Sequence, residues 1–262
     1  MHHTELNLVE KVTPIIKNAG DILLSYFNTH LERVEKPGDH GFVTQADLSS
    51  EKYLIEHLST VIPGASFFAE ESGKTGVNKE GYCWVIDPLD GTTNFAHGLP
   101  YFCISVALTL DDKPVFGMIL NPITQELFWA ELGKGSYLNG KRMQVSSSSL
   151  AQGVIALGLP YAKSDTFDYL LARTLSIAHE ASSIRHLGAV ALDAAYVAAG
   201  KIEGMFFENL GWWDIAAGML LIHEAGGVVT DFQGKKITPE YVSCIAGAPQ
   251  VHALLQELLK QP

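Results

Sequence analysis

The chain has 262 residues, 47% of them apolar and 18% charged, and its 18 Lys and Arg against 29 Asp and Glu give a net charge of −11 with histidines neutral. This length and apolar fraction suit a globular chain with a sizeable core, one large domain or two intimate halves, and exclude disorder as the dominant state. The acidic balance, with no Lys/Arg block, argues against nonspecific binding to a nucleic-acid backbone.

The start, MHHTELNLVEKV, mixes acidic, basic and apolar residues without the apolar core of a signal peptide, and His2 and His3 are too few for a purification tag. The longest apolar stretch, around Phe102–Leu110, falls far short of the roughly 20 residues that span a bilayer. Cys83, Cys103 and Cys244 are odd in number, widely spaced and set in apolar surroundings. They read as buried free thiols in a reducing compartment. The expectation is a cytoplasmic protein with no membrane partner.

Leu6, Val9, Val12, Ile15, Ile16, Ala19, Ile22, Leu23 and Tyr26 recur at helical spacing, so roughly the first 28 residues predict an amphipathic helix. A loop over Glu35–Gly41 follows, then a second helix from about Asp47 to Thr60 that stops before Pro63-Gly64. Strands are expected at Ser66–Ala69, Tyr82–Ile86, Phe102–Leu110, Pro114–Leu120 and Glu126–Glu131. Short polar turns such as Asp111-Asp112-Lys113 imply an antiparallel sheet. Ser146–Ser149 is a plausible junction between an N-terminal half of about 1–145 and a C-terminal half of about 146–262 within a single domain. Beyond it, strands near Val154–Leu157, Gly204–Glu208, Val228–Thr230 and Val242–Ala246 alternate with helices near Asp165–Ala181, Ala189–Ala199, Asp214–Ala225 and Pro249–Lys260. That alternation points to a mixed α/β layer.

Three acidic sites lie at element ends. Glu70 and Glu71 follow an apolar strand directly, Asp87 and Asp90 sit just past another, and Asp214 opens an apolar helix after Trp212-Trp213. Taken singly, the glutamates could be a solvated strand end and Asp214 an ordinary helix cap. The Asp87–Asp90 segment is harder to read as a plain turn. Pro88 removes a backbone donor and is expected to end the strand, Gly91 allows close backbone approach, and Thr92-Thr93 opens a helix whose free N–H groups favour an anion. Every candidate ligand is an oxygen, with no His or Cys at ligand spacing, which favours Mg²⁺, Mn²⁺ or Ca²⁺ over Zn²⁺. Divalent ions beside a helix N-terminus imply metal-assisted attack of water on a phosphate ester.

Two motif matches fail, one on spacing and one on residue type. Asp87-Pro88-Leu89-Asp90-Gly91-Thr92 is one residue longer than the nucleophile loop of haloacid-dehalogenase-type phosphatases. Gly135–Lys141 approaches a phosphate-binding loop, but Arg142 stands where its Ser or Thr belongs, and Asn139-Gly140 makes a better hairpin turn.

Asp87-Pro88-Leu89-Asp90-Gly91-Thr92-Thr93-Asn94-Phe95, preceded by Glu70-Glu71-Ser72, resembles the first signature of the inositol monophosphatase family of Mg²⁺-dependent, lithium-sensitive phosphatases. Trp213-Asp214-Ile215-Ala216-Ala217-Gly218, running to Glu224-Ala225-Gly226-Gly227, resembles the second, and the likeness covers nearly the whole chain. It implies an α/β (α+β) fold, a layered αβαβα sandwich with an antiparallel N-terminal sheet and a mixed C-terminal half. It also implies two or three Mg²⁺ ions. Glu70, Asp87 and the Leu89 carbonyl would hold one metal, Asp87, Asp90 and Asp214 a second, and Glu70 would help hold a third through waters. Val43-Thr44-Gln45-Ala46-Asp47 resembles the family segment whose aspartate pairs with the threonine matching Thr92. Glu70 and Thr92, supported by Asp47, would activate the attacking water, Gly91 and Thr92 would bind phosphate oxygens, and Lys36 would lie near the third metal.

For the substrate, Arg185–Val190 resembles the segment before a substrate-facing helix, which brings in Gly188 and Val190, and Glu208 resembles the glutamate that accepts hydrogen bonds from substrate hydroxyls. Glu208 and Asp214 are one residue closer than is usual, and Val190 is bulkier than the small residue often found there. The implied reaction is hydrolysis of a phosphate monoester, with myo-inositol monophosphate the leading substrate. Fructose 1,6-bisphosphate, 3′-phosphoadenosine 5′-phosphate and histidinol phosphate are alternatives, and a homodimer is the implied assembly. A reading of another class is a regulatory binding protein of a transcription complex, since some bacterial family members act there. Asp193, Trp212, Trp213 and His97 are read as structural or incidental.

Overall fold

The computed structural model describes residues 7–36, 41–76, 81–159, 167–240 and 243–260. The first helix, α1 (Leu8–Tyr26), buries Leu8, Val12, Ile16, Ala19 and Leu23, the stripe its periodicity predicts. Leu6 lies outside the described residues, as do Asp165 and Val242 at two expected element starts and residues 37–40 of the expected loop. Next come β1 (Arg33–Glu35) and β2 (Phe42–Thr44), an antiparallel pair that the periodicity does not reveal, and α2 (Gln45–Val61).

A central sheet follows, with β3 (Ser66–Ala69), β4 (Gly73–Thr75), β5 (Tyr82–Asp90), β6 (Cys103–Leu110), β7 (Lys113–Asn121), β8 (Glu126–Glu131), β9 (Gly135–Leu138) and β10 (Lys141–Arg142), the helix α3 (Thr92–Ala96) standing between β5 and β6. Its spatial order is β10-β9-β8-β7-β6-β5-β3-β4. The sheet is antiparallel as expected, with one exception: β3 pairs in parallel with β5. The short return strand β4 turns the chain back, so β5 re-enters in the direction of β3.

The C-terminal half holds β11 (Val154–Leu157), α4 (Phe167–Glu180), β12 (Ser183–Arg185), α5 (Val190–Ala198), β13 (Gly204–Phe207), α6 (Trp212–Glu224), β14 (Val228–Thr230), β15 (Cys244–Gly247) and α7 (Pro249–Lys260). Its five-stranded sheet, order β12-β11-β13-β15-β14, is mixed: β11 pairs in parallel with β12 and β13, and β15 antiparallel with β13 and β14.

Three apolar clusters fill the spaces between layers. One lies between α1/α2 and the large sheet, around Trp84, Phe102 and Phe116. A second surrounds α5 and α6 between the two sheets, and a third lies between the small sheet and α4/α7. The architecture is therefore an αβαβα sandwich, each helical layer burying an apolar face that would otherwise meet water. Cys103 and Cys244 are buried free thiols, and Cys83 is half-buried and free. Among the described residues, no helix is long and apolar enough to cross a membrane.

Candidate active site

The strand β5 does not stop at Pro88, contrary to expectation. It runs to Asp90, because the register slips between Asp87, paired with Ser105, and Asp90, paired with Cys103. Three residues advance on β5 for two on β6, which is a β-bulge, and Pro88 occupies the interrupted ladder where no backbone donor is needed. In a regular strand, residues three apart face opposite sides of the sheet. The extra residue turns Asp87 and Asp90 to the same side.

Asp214 completes the group from the first turn of α6. One carboxylate oxygen from each of Asp87, Asp90 and Asp214 lies within 4.8 Å of the others. Asp87 and Asp90 are buried and Asp214 is half-buried. Backbone donors hold all three: Leu89 N–H donates to Asp87 Oδ1 (3.0 Å), Val190 and Ala191 N–H to Asp90 (3.1 and 2.7 Å), and Gly211 N–H to Asp214 Oδ2 (2.7 Å). Asp214 is thus the third residue of its helix, reaching back to the cap position.

Desolvation pushes all three carboxyls up. Asp90 rises to about 7, the bonds from Ala191, Cys103 and Val190 opposing burial while Glu70 adds repulsion. Asp87 rises well above the usual carboxylate range through burial and then through Glu70, Asp90 and Asp214, and Asp214 does so through burial, Glu70 and Asp90. Three mutually repelling oxygen donors fixed by the backbone fit a hard divalent cation, which would remove the repulsion.

Glu70 flanks this cluster, anchored by its N–H on Ile86 O (3.1 Å) at the end of β3. The Lys36 ammonium bridges Glu70 Oε1 (2.7 Å) and Glu71 Oε1 (2.8 Å). Burial works to lower the Lys36 pKa, but the two glutamates outweigh it and push it up. Glu71 is pushed up to about 7 by burial, with Lys36 opposing and Glu70 adding repulsion. Its N–H also donates to Glu51 Oε2 (2.9 Å).

Behind the cluster, Thr92 Oγ1 lies 3.2 Å from Asp47 Oδ1 and 3.1 Å from the Leu89 carbonyl, so one hydroxyl proton is shared between two acceptors. Asp47 Oδ2 accepts from Thr44 N–H and Oγ1 (2.8 and 2.6 Å), which makes Asp47 part of the α2 capping box as well. Burial raises its pKa, the Thr44 bonds oppose, and Glu70 adds to the rise.

Gly91 has φ of +92°, and a Cβ there would meet Tyr101 O at 3.1 Å, Ala189 Cβ at 3.2 Å and Gly188 O at 3.2 Å. Only glycine fits both the torsion and the space. The structure thereby brings Gly188 and Val190 against the Asp87–Thr92 run. Glu208 lies just past β13, half-buried, its Oε2 without a hydrogen-bond partner among the described residues. Its pKa is raised by burial and lowered by Arg173. No hydrogen bond or ion pair joins Glu208 to the carboxylate cluster among the described residues.

Sequence reasoning missed Asn94 and Tyr101 as parts of this surface. Asn94 lies inside the Asp87–Phe95 run that carries the family resemblance, which was the one usable signal, whereas Tyr101 sits in a segment with no motif.

Over residues 7–261 the chain matches the model of the inositol monophosphatase family. It belongs to that family. A Mesorhizobium japonicum inositol-1-monophosphatase is 40% identical over 227 residues, covering 86% of this chain and 85% of that protein. The Escherichia coli K12 protein called Nus factor SuhB is 34% identical over 251 residues, covering 95% and 93%. The crystal structure of the extragenic suppressor protein suhB from Bartonella henselae superposes with a TM-score of 0.93 at 38% identity, covering 97% of this chain and 98% of that one. Membership of the inositol monophosphatase family supports phosphoric monoester hydrolase chemistry.

Proposed function

We propose that the protein hydrolyses a small phosphate monoester with Mg²⁺, most directly myo-inositol monophosphate to inositol and phosphate. The observation that carries this reading is the group of three converging carboxylates, Asp87, Asp90 and Asp214, fixed by backbone donors. Two or three Mg²⁺ ions held by Glu70, Asp87, the Leu89 carbonyl, Asp90 and Asp214 would supply Lewis acidity, acidifying the attacking water and stabilising the leaving oxygen. Glu70 takes the proton from that water, oriented by Thr92, whose hydroxyl is held by Asp47. The Gly91 and Thr92 N–H groups bind phosphate oxygens, and Lys36 adds positive charge at the outer edge. Gly188 and Val190 face the alcohol portion, and Glu208 accepts hydrogen bonds from its hydroxyls. The nucleophile is water, with no covalent enzyme intermediate.

The same reading makes the chain one domain, a cytoplasmic, lithium-sensitive homodimer. A second role as a partner in a transcription complex is favoured by one observation, the 34% identity to the relative named Nus factor SuhB across 93% of that protein. The test is phosphate release from inositol 1-phosphate, fructose 1,6-bisphosphate, 3′-phosphoadenosine 5′-phosphate and histidinol phosphate, each with Mg²⁺, with EDTA, and with Mg²⁺ plus Li⁺. Fastest Mg²⁺-dependent release from inositol 1-phosphate, suppressed by Li⁺, is expected. Faster release from another member of the panel would replace the substrate, and no release from any would favour the binding role.

A further inference from the structure

Asn94 takes no part in the carboxylate cluster, yet it stands between the phosphate-binding turn and the substrate-facing segment. Its Nδ2 donates to the Tyr101 carbonyl (2.7 Å) and the Leu187 carbonyl (2.8 Å). Two acceptor partners fix which end of the amide faces them. Tyr101 is itself tied down, its hydroxyl donating to the fully buried Asp193 at 2.6 Å.

On the side facing Asn94 the packing is close. A Cβ on Gly188, whose φ is +84°, would come within 3.1 Å of Asn94 Nδ2, while one on Gly91 would meet Tyr101 O and Gly188 O. The segment 187–191 is therefore held at both ends by one stretch of chain. Asn94 grips Leu187 O, and Asp90 receives the N–H groups of Val190 and Ala191.

We propose that Asn94 is a positioning residue that sets the 187–190 segment against the phosphate-binding turn and so discriminates between phosphate esters by their alcohol portion. The inference rests on the reading that Gly188 and Val190 face that portion. Loss of the amide frees the Leu187 carbonyl without touching a carboxylate. The segment can then drift from the alcohol while the phosphate end stays in register.

The experiment compares Asn94→Ala and Asn94→Asp with the parent on inositol 1-phosphate and on p-nitrophenyl phosphate, whose flat leaving group has no hydroxyls, in saturating Mg²⁺. Asn94→Asp keeps the side-chain shape but turns an acceptor toward both carbonyls, and it serves if the alanine variant folds poorly. The expected result is a rise of about tenfold in KM for inositol 1-phosphate with kcat within about threefold, against a loss of no more than about threefold in kcat/KM for p-nitrophenyl phosphate. Hydrogen exchange gives a readout independent of turnover: the amide of the buried Ala189 should exchange about tenfold faster, and those of Val190 and Ala191, held by Asp90, and of Thr92–Phe95 should be unchanged. Equal losses on both esters, or unchanged exchange at Ala189, would overturn the proposal. If the parent protein releases phosphate from p-nitrophenyl phosphate but not from inositol 1-phosphate, the substrate reading fails, and the exchange measurement alone decides the role of Asn94.

Discussion

The inner and outer parts of the site are built in opposite ways. The inner carboxylates, Asp87, Asp90 and Asp214, are held by backbone N–H groups from a strand bulge and two helix starts. The outer pair, Glu70 and Glu71, is held by one lysine ammonium that follows β1. Backbone anchors cannot leave without local unfolding, whereas a lysine can swing away. The inner part is preorganised for a cation, and the outer part carries an internal counter-charge.

The sharpest way to break this comparison is to neutralise an inner carboxylate. Asp87→Asn keeps the acceptor for Leu89 N–H but removes a buried charge. Mg²⁺-dependent turnover should fall by about a thousandfold, while the metal-free thermal midpoint should not drop, because repulsion with Asp90 and Asp214 is relieved. Calorimetry beside an activity assay reads both. On the outer part, Glu70→Gln should cost about a hundredfold in kcat through loss of the proton acceptor, measured at saturating Mg²⁺.

The inner part should also declare itself through pH. Asp90 moves from 3.8 to about 7, and Asp87 and Asp214 move in the same direction. The folded, metal-free protein therefore binds more protons than the unfolded chain across that window. Stability present below pH 4 is lost as pH rises through about 7. The thermal midpoint in EDTA should fall between pH 5 and pH 8, and Mg²⁺ should restore it most at the upper end. A midpoint flat with pH in EDTA would contradict the raised carboxyls. The smallest effect is on the outer counter-charge. Lys36→Gln leaves Glu70 and Glu71 facing each other and should cost about 1 kcal/mol of metal-free stability in urea unfolding, a deficit that saturating Mg²⁺ erases.

What could be read from the chain divides along the same line. Ser66–Ala69 and Glu126–Glu131 appear as expected, since apolar residues bounded by turns mark a strand directly. The converging carboxylates were legible because acidic residues at strand and helix ends leave a local signature. Pro88 misled, because a bulge tolerates what a regular strand does not, and bulges leave no period in the sequence. The β1–β2 pair was invisible for another reason. Each strand has three residues and β1 is exposed throughout, so no alternation exists to detect. The parallel β3–β5 pairing, the grip of Lys36 on Glu70 and Glu71, and the hold of Asn94 on Leu187 all depend on residues distant in the chain. No local pattern reports such contacts.

The most direct test of the central claim is phosphate release from inositol 1-phosphate across a Mg²⁺ titration, for the parent protein and for the folded Asp87→Asn/Asp214→Asn double variant. The account expects saturable, EDTA-abolished release from the parent and none above background from the variant. Comparable Mg²⁺-dependent release from both would contradict the assignment of the inner carboxylates as the metal centre.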